Sequence, residues 1–82
     1  ENYYSTKLYS DCAGERVVRL LVDAWDYPAS QEGTLNNGAG YKLSENDGQH
    51  LIVWRGLNVL EADYSGAASL AEHLALYANA VG

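Results

Sequence analysis

One histidine and two carboxylates form the group in this sequence that is best placed to do chemistry. The strand pairing predicted below sets His50 between Glu45 and Glu61 at one end of a sheet. A carboxylate within about 4–6 Å favours the protonated imidazole, and such a histidine can serve as a general base or sense pH. The simpler interpretation, which we prefer, is a charge cluster that stabilises the end of the sheet.

The only cysteine is the second candidate for chemistry. Cys12 follows Asp11 at the predicted start of a helix, where the helix dipole favours a thiolate and a nearby histidine would complete a nucleophile. Asp11 opposes that charge, and the surrounding residues match no motif of cysteine enzymes. We therefore predict a non-enzymatic protein with no catalytic residue. A small enzyme built on Cys12 or His50 is the least favoured alternative.

Patterns for metal ions, cofactors and phosphates are missing from the sequence. His50 and His73 are far apart in the chain, and the acidic residues lack the spacing of a calcium loop or a zinc site. Gly38 and Gly40 lack the longer glycine pattern and the following helix of a phosphate-binding loop. The sequence predicts no metal site and no cofactor.

The balance of charges is acidic. Eleven acidic and five basic residues give a formal net charge of −6. This charge disfavours direct contact with nucleic acid and suits a basic protein partner, although it also serves solubility alone. No apolar run reaches the roughly 18 residues of a membrane span. A single cysteine excludes an internal disulfide framework and fits the reducing cytoplasm of a host cell.

Tyrosines and carboxylates define the predicted partner-binding surface. The chain has seven tyrosines and no phenylalanine. Tyrosine combines an apolar ring with a polar tip and is enriched at protein interfaces. The residues predicted to bind lie in the N-terminal segment and around the end of the first helix: Tyr3, Tyr4, Tyr9, Asp23, Asp26 and Tyr27.

The elements that must position these residues make one small α+β domain over residues 1–82. Periodicity and turn signals predict two helices and a three-stranded antiparallel meander. The strands are expected at about 40–46, 49–54 and 57–62, and the helices at about 12–26 and 66–81. Residues 2–9 are rich in strand formers and predict an edge strand, with an extended arm as the alternative.

The first helix is predicted from its two faces. Charged residues recur on one side, while the other side has the i, i+3, i+4, i+7 spacing of a buried stripe. That stripe consists of Val17, Leu20, Leu21 and Ala24. Pro28 closes the segment, because the residue before a proline is pushed out of helical geometry.

Two boundaries are left open by the sequence. The last helix begins after Ser65 or after Ser69, since both serines fit the N-cap position. Residues 27–39 have the composition of a loop. Within them, Asn37-Gly38 is a strong hairpin signal that would pair residues 34–35 with the next strand.

Two hairpin turns set the register of the meander. We place them at Asp47-Gly48 and at Arg55-Gly56, and together they give His50 its two acidic neighbours. Both registers put the same large side chains on one face, where a helix is expected to pack. These are Tyr41, Leu43, Ile52, Trp54, Leu57 and Val59.

The opposite face of the meander carries Leu51, Val53 and Leu60. A solvated face would not present these three apolar side chains together, so something has to cover them. A helix of the same chain would give a closed monomer. A partner or a second copy would turn this face into an interface, and a homodimer is the simplest form of that alternative.

Size, acidity, tyrosine content and the lack of catalytic motifs predict a small acidic protein-binding module. The expected partner is a protein, in particular a basic nucleic-acid-binding protein. Phage and mobile-element inhibitors of host nucleases or defence complexes, anti-CRISPR proteins among them, share this size and charge, but no motif links the chain to them. The alternative is a structural or assembly subunit that self-associates through a sheet face.

Overall fold

In the part of the chain that the structure describes, five antiparallel strands form a single sheet with one α-helix on each face. The computed structural model describes residues 3–66 and 69–82. The elements in chain order are β1 (Tyr3–Tyr9), α1 (Glu15–Asp23), β2 (Gln31–Thr34), β3 (Gly40–Ser44), β4 (Gln49–Arg55), β5 (Asn58–Ser65), a 3₁₀ turn (Leu70–His73) and α2 (Leu74–Val81). Across the sheet the strands lie in the order β1-β5-β4-β3-β2.

The predicted α+β class and antiparallel sheet are confirmed, but the strand number is larger than predicted. The three predicted strands correspond to β3, β4 and β5, and the N-terminal edge strand is β1. The fifth strand, β2, lies at the other edge. Within the ranges that the structure describes, no helix combines the length and the apolar character that a membrane crossing requires.

Each face of the sheet has its own hydrophobic cluster. On the side that we call the α1 face, Ile52 and Val59 pack with Val18 and Val22 of the helix. On the other side, the α2 face, strand residues pack with the 3₁₀ turn and α2. That second cluster comprises Ala39, Leu43, Leu51, Val53, Leu60, Ala62, Leu70, Tyr77, Ala78 and Val81.

The chain itself therefore covers Leu51, Val53 and Leu60. The exposed fractions of these side chains are 1%, 0% and 5%. The sequence did not determine on which face the last helix packs, and in the structure it packs on the face that carries these three residues. These three side chains are consequently not available for the self-association that the sequence suggested through them.

The pairing of β3 with β4 differs from the prediction by one residue. Leu43 lies opposite Leu51 rather than Ile52. A shift of one residue exchanges the two faces of a strand, so Tyr41 and Leu43 lie on the α2 face. The cause is the length of the turn: Asp47-Gly48 has the positive φ angles of the predicted turn, 53° and 115°, but the loop holds one more residue.

The pairing of β4 with β5 is shifted by two residues. Trp54 faces Val59 instead of Leu57, because the turn is made by Gly56 and Leu57. Gly56 has a φ of 58°, a conformation that glycine adopts without strain. An even shift preserves the faces, so Ile52, Trp54 and Val59 lie on the α1 face as predicted. Leu57 is left exposed in the turn.

Both helices are shorter than predicted. α1 begins at Glu15, after Gly14 with a φ of 93°, and ends at Asp23. In the last helical segment, the Ser69 hydroxyl accepts a hydrogen bond of 3.2 Å from the Ala71 amide, which selects the later of the two predicted starts. Residues 67–68, which the prediction placed in this helix, lie outside the described ranges.

Asn37 shapes the hairpin between β2 and β3 and attaches it to α2. Its side-chain oxygen accepts from the Ala39 amide at 3.0 Å, and its Nδ2 donates to the Ala78 carbonyl at 3.2 Å. Thr34 pairs with the next strand, as the Asn37-Gly38 signal predicted, but its partner is Gly40 rather than the Tyr41 that a two-residue turn would give. The loop interpretation of residues 27–39 is wrong for the part that forms β2.

Candidate partner-binding site

Helix α1 carries two apolar stripes, and only one of them is buried. The buried stripe, which follows the i, i+3, i+4, i+7 spacing, consists of Val18, Leu21, Val22 and Trp25. The stripe predicted to be buried starts one residue earlier. Its Leu21 packs against the cluster as predicted, whereas Val17, Leu20 and Ala24 are turned to solvent. Val17 is 36% exposed and Leu20 is 59% exposed. An apolar helix face is thereby left in contact with solvent.

The exposed stripe forms one wall of a groove of about 430 Å³ beside α1. The groove is lined on its apolar side by Val17, Leu20, Leu21, Ala24, Trp25 and Tyr27. Its two charged lining residues, Asp26 and Glu61, are both acidic. An apolar wall with acidic neighbours suits an amphipathic segment that carries basic residues.

Aromatic and acidic side chains continue this surface beyond the end of α1. The rings of Trp25 and Tyr27 meet edge to face, with centroids 5.4 Å apart and an interplanar angle of 66°. Asp23 lies 3.8 Å from the Arg19 guanidinium, and both side chains are more than half exposed. An exposed pair of this kind is worth little, so a partner can compete for Asp23.

The Tyr27 ring stacks flat on the imidazole of His50, with centroids 3.8 Å apart and an interplanar angle of 6°. The Nδ1 of His50 is 2.6 Å from the Asp63 carboxylate, and its Nε2 is 3.1 Å from the Asn46 carbonyl. Both neighbours are acceptors, so both hydrogen bonds form together only when both ring nitrogens carry protons. This stack holds the segment after α1 against the sheet.

His50 is paired with a different acid from the two that were predicted. Asp63 lies directly opposite His50, while Glu61 lies opposite Ile52. Glu45 belongs to the turn after β3 and is exposed. The predicted cluster of Glu45, His50 and Glu61 is wrong, because the shift of β5 by two residues replaces Glu61 with Asp63 and the longer turn moves Glu45 out of the row.

Ser44, His50 and Asp63 lie side by side on three neighbouring strands. These are the residue types of a hydrolase triad, in which histidine takes a proton from the serine hydroxyl. Here Ser44 is 1% exposed. The His50 nitrogen that would take the proton is directed at the Asn46 carbonyl instead. The row therefore does not present a hydroxyl to an outside substrate.

Cys12 and His50 lie at opposite ends of the sheet. The Cys12 amide donates to the Leu57 carbonyl at 2.8 Å, beside the β4–β5 turn, whereas His50 is near the start of β4. The two side chains are not brought together as a nucleophile and its base. Among residues 3–66 and 69–82, no three His, Cys, Asp or Glu side chains are grouped so that they could hold a metal ion.

Five of the six residues predicted to bind a partner lie on one side of the sheet. They are Tyr3, Tyr9, Asp23, Asp26 and Tyr27. Tyr4 points to the α2 face, where its ring meets that of Tyr64 edge to face at 6.0 Å. Five of the predicted residues therefore share one side of the sheet, and Tyr4 lies on the other.

A double-mutant cycle on Tyr27→Leu and His50→Gln is expected to show a coupling energy of about 0.5–1.5 kcal/mol in favour of the wild-type pair. Stacked aromatic pairs usually contribute this much in addition to the burial of their surface. Urea unfolding of the four proteins measures it. The matched control is Tyr27→Leu with Leu76→Ala, because the two control sites lie on opposite faces of the sheet. Equal coupling in the two cycles would show that the stack does not hold the segment.

Sequence reasoning missed the exposed stripe and the stack of Tyr27 on His50. A signal for the first was present, because residues 17, 20, 21 and 24 and residues 18, 21, 22 and 25 satisfy the same helical spacing. Comparisons with protein-family models, with curated proteins and with solved structures found no match. The geometry of the groove is therefore the basis on which a function can be proposed.

Proposed function

We propose that this chain is a small acidic protein-binding module whose partner is a basic, nucleic-acid-binding protein. The observation that carries the proposal is the groove beside α1, where Val17 and Leu20 are exposed and the two charged lining residues, Asp26 and Glu61, are acidic. In this proposal the apolar stripe supplies affinity, and the carboxylates select a basic partner and orient it.

The aromatic side chains support a protein rather than a small molecule as the ligand. Trp25 and Tyr27 line the groove. Tyrosine and tryptophan are enriched among the residues that dominate protein interfaces. Tyr27 is also fixed by its stack on His50, so it loses little conformational freedom on binding. A rigid aromatic beside an apolar stripe is a favourable anchor for a helix of the partner.

The proposed biological setting is inhibition of a host complex. Phage and mobile-element proteins that occupy nucleic-acid-binding surfaces, anti-CRISPR proteins among them, have this size and negative charge. The net charge of −6 supports attraction to a basic surface that otherwise binds a phosphate backbone. Such an inhibitor would act in the cytoplasm of the host cell.

Two matched pairs of variants test the groove. Asp26→Lys and Leu20→Ser change it, while Glu72→Lys and Leu76→Ser make the same replacements at exposed positions on the other side of the sheet. Immobilised wild type and variants are exposed to host-cell extract, and affinities are then measured with each captured protein after purification. We expect each groove variant to weaken binding at least about fivefold and each control to change it less than about twofold.

The dependence of the measured affinities on ionic strength is a second test of the groove. Affinity should fall as salt is raised, because salt screens the attraction between exposed charges. At physiological ionic strength this attraction already extends only about 8 Å, and added salt shortens that distance. Captured proteins that are acidic, or that bind the groove variants as well as wild type, would contradict the proposal.

A further inference from the structure

The two edges of the sheet are built differently. β2 is a four-residue edge that carries Glu32 and Gly33, and short, charged edges resist pairing with other chains. β1 is a seven-residue edge with no proline or glycine and with large exposed side chains. No described strand lies beyond it in the sheet. β1 is therefore an open template for another strand.

The hydrophobic cluster of the α2 face reaches this open edge. Leu8 of β1 lies directly opposite the buried Leu60, which itself lies opposite the buried Val53. Leu8 nevertheless remains 48% exposed, because no strand follows β1. The row of apolar side chains thus ends at the open edge of the sheet, with Leu8 partly exposed.

We propose that β1 pairs antiparallel with β1 of a second copy, with the two-fold axis at Thr6. In this register Leu8 of one copy faces Tyr4 of the other, so the interrupted apolar row continues across the axis. Tyr3 faces Tyr9 of the second copy, and Thr6 faces itself. Aromatic pairs, aromatic–aliphatic pairs and threonine pairs are all favourable across antiparallel strands.

Charge does not oppose this register locally. The only charged residue of β1, Lys7, faces Ser5 of the second copy rather than another lysine. Its ammonium group lies 5.0 Å from the centre of the Tyr9 ring, so it is held along its own strand. Hydrogen bonding to Tyr9 raises the pKa of Lys7, which keeps that group charged.

The dimer is expected to be weak and to strengthen with salt. Seven paired residues bury less than the roughly 1,200 Å² at which stable interfaces begin. Each copy also carries a net charge of −6, and salt screens the repulsion between the copies. Groove binding has the opposite salt dependence, so a failure of either proposal can be told from a failure of the other.

Sedimentation velocity between about 10 µM and about 1 mM covers the range in which such an interface dissociates. The wild type should shift from monomer to dimer over this range, and more readily at high salt. Leu8→Lys should weaken the dimer at least about tenfold, because it replaces an apolar pair at two symmetric positions. Leu76→Lys, at an exposed position on α2, is the control and should leave it unchanged.

A cross-link tests the register. Residues directly opposite each other across antiparallel strands have Cα atoms about 4.5–5.5 Å apart, which a disulfide can span. In a Cys12→Ser background, Thr6→Cys should therefore give disulfide-linked dimers under mild oxidation, and Leu76→Cys should give few. A strict monomer up to the highest concentration, or equal cross-linking of the two variants, would overturn the proposal.

Discussion

Replacing Leu51 by alanine is expected to lower the free energy of unfolding by about 2–5 kcal/mol, the usual cost of deleting a buried leucine side chain. Leu51 of β4 is 1% exposed and lies in the cluster between the sheet and α2. A chain of this length typically has only about 4–12 kcal/mol of stability. The variant should therefore lose a large fraction of its stability.

The control for Leu51→Ala is Leu76→Ala, which removes the same atoms from an exposed position. It should change stability by less than about 0.5 kcal/mol. Urea unfolding monitored by tryptophan fluorescence measures both, and an unchanged m-value ensures that midpoints report stability. If the two variants were equally stable, Leu51 would not be covered by α2 as described.

Gly40→Ala is expected to cost about 1–3 kcal/mol of stability, as inserting a methyl group into a packed site usually does. A Cβ on Gly40 would lie 2.4 Å from Cζ2 and 2.5 Å from Cε2 of Trp54. The two residues are direct cross-strand neighbours, so the bulky indole covers the space that the methyl group needs. Trp54 also packs against the cluster under α1 and is not free to move away.

Gly33→Ala is the matched control for Gly40→Ala. It lies on the exposed edge strand β2, and the atom nearest to its added Cβ would be Cε1 of the Tyr41 ring, at 3.3 Å. A second comparison introduces Gly40→Ala into a Trp54→Leu background, where the penalty should shrink because the indole is gone. Equal penalties in both backgrounds would rule out the indole as the cause.

The strands could largely be predicted from the sequence, but the face of β3 could not. Turn signals located the hairpin at Asp47-Gly48, and both residues have the φ angles that this signal implies. Side-chain direction, however, depends on whether the loop holds an even or an odd number of residues. Nothing local distinguishes these cases, so Tyr41 and Leu43 were placed on the wrong face.

The candidate site was predictable only in part, for a similar reason. Asp26 and Tyr27 were predicted as contact residues from their types and their position at the end of a helix, and both line the groove. The side of α1 that faces the sheet could not be predicted, because two overlapping stripes satisfy the helical spacing. Contact with the sheet decides between them: Val18 and Val22 meet Ile52. Helix propensity alone does not determine which of the two stripes is buried, because tertiary packing decides it.

The presence of α1 on only one face of the sheet has a consequence for any dimer joined through β1. The two-fold axis that relates antiparallel neighbours in one sheet runs perpendicular to that sheet, so both copies of α1 would lie on the same side. Two identical grooves would then open in the same direction. A partner with repeated subunits, or a filament, would be held at two points. Its avidity would exceed the affinity of one groove without any new contact.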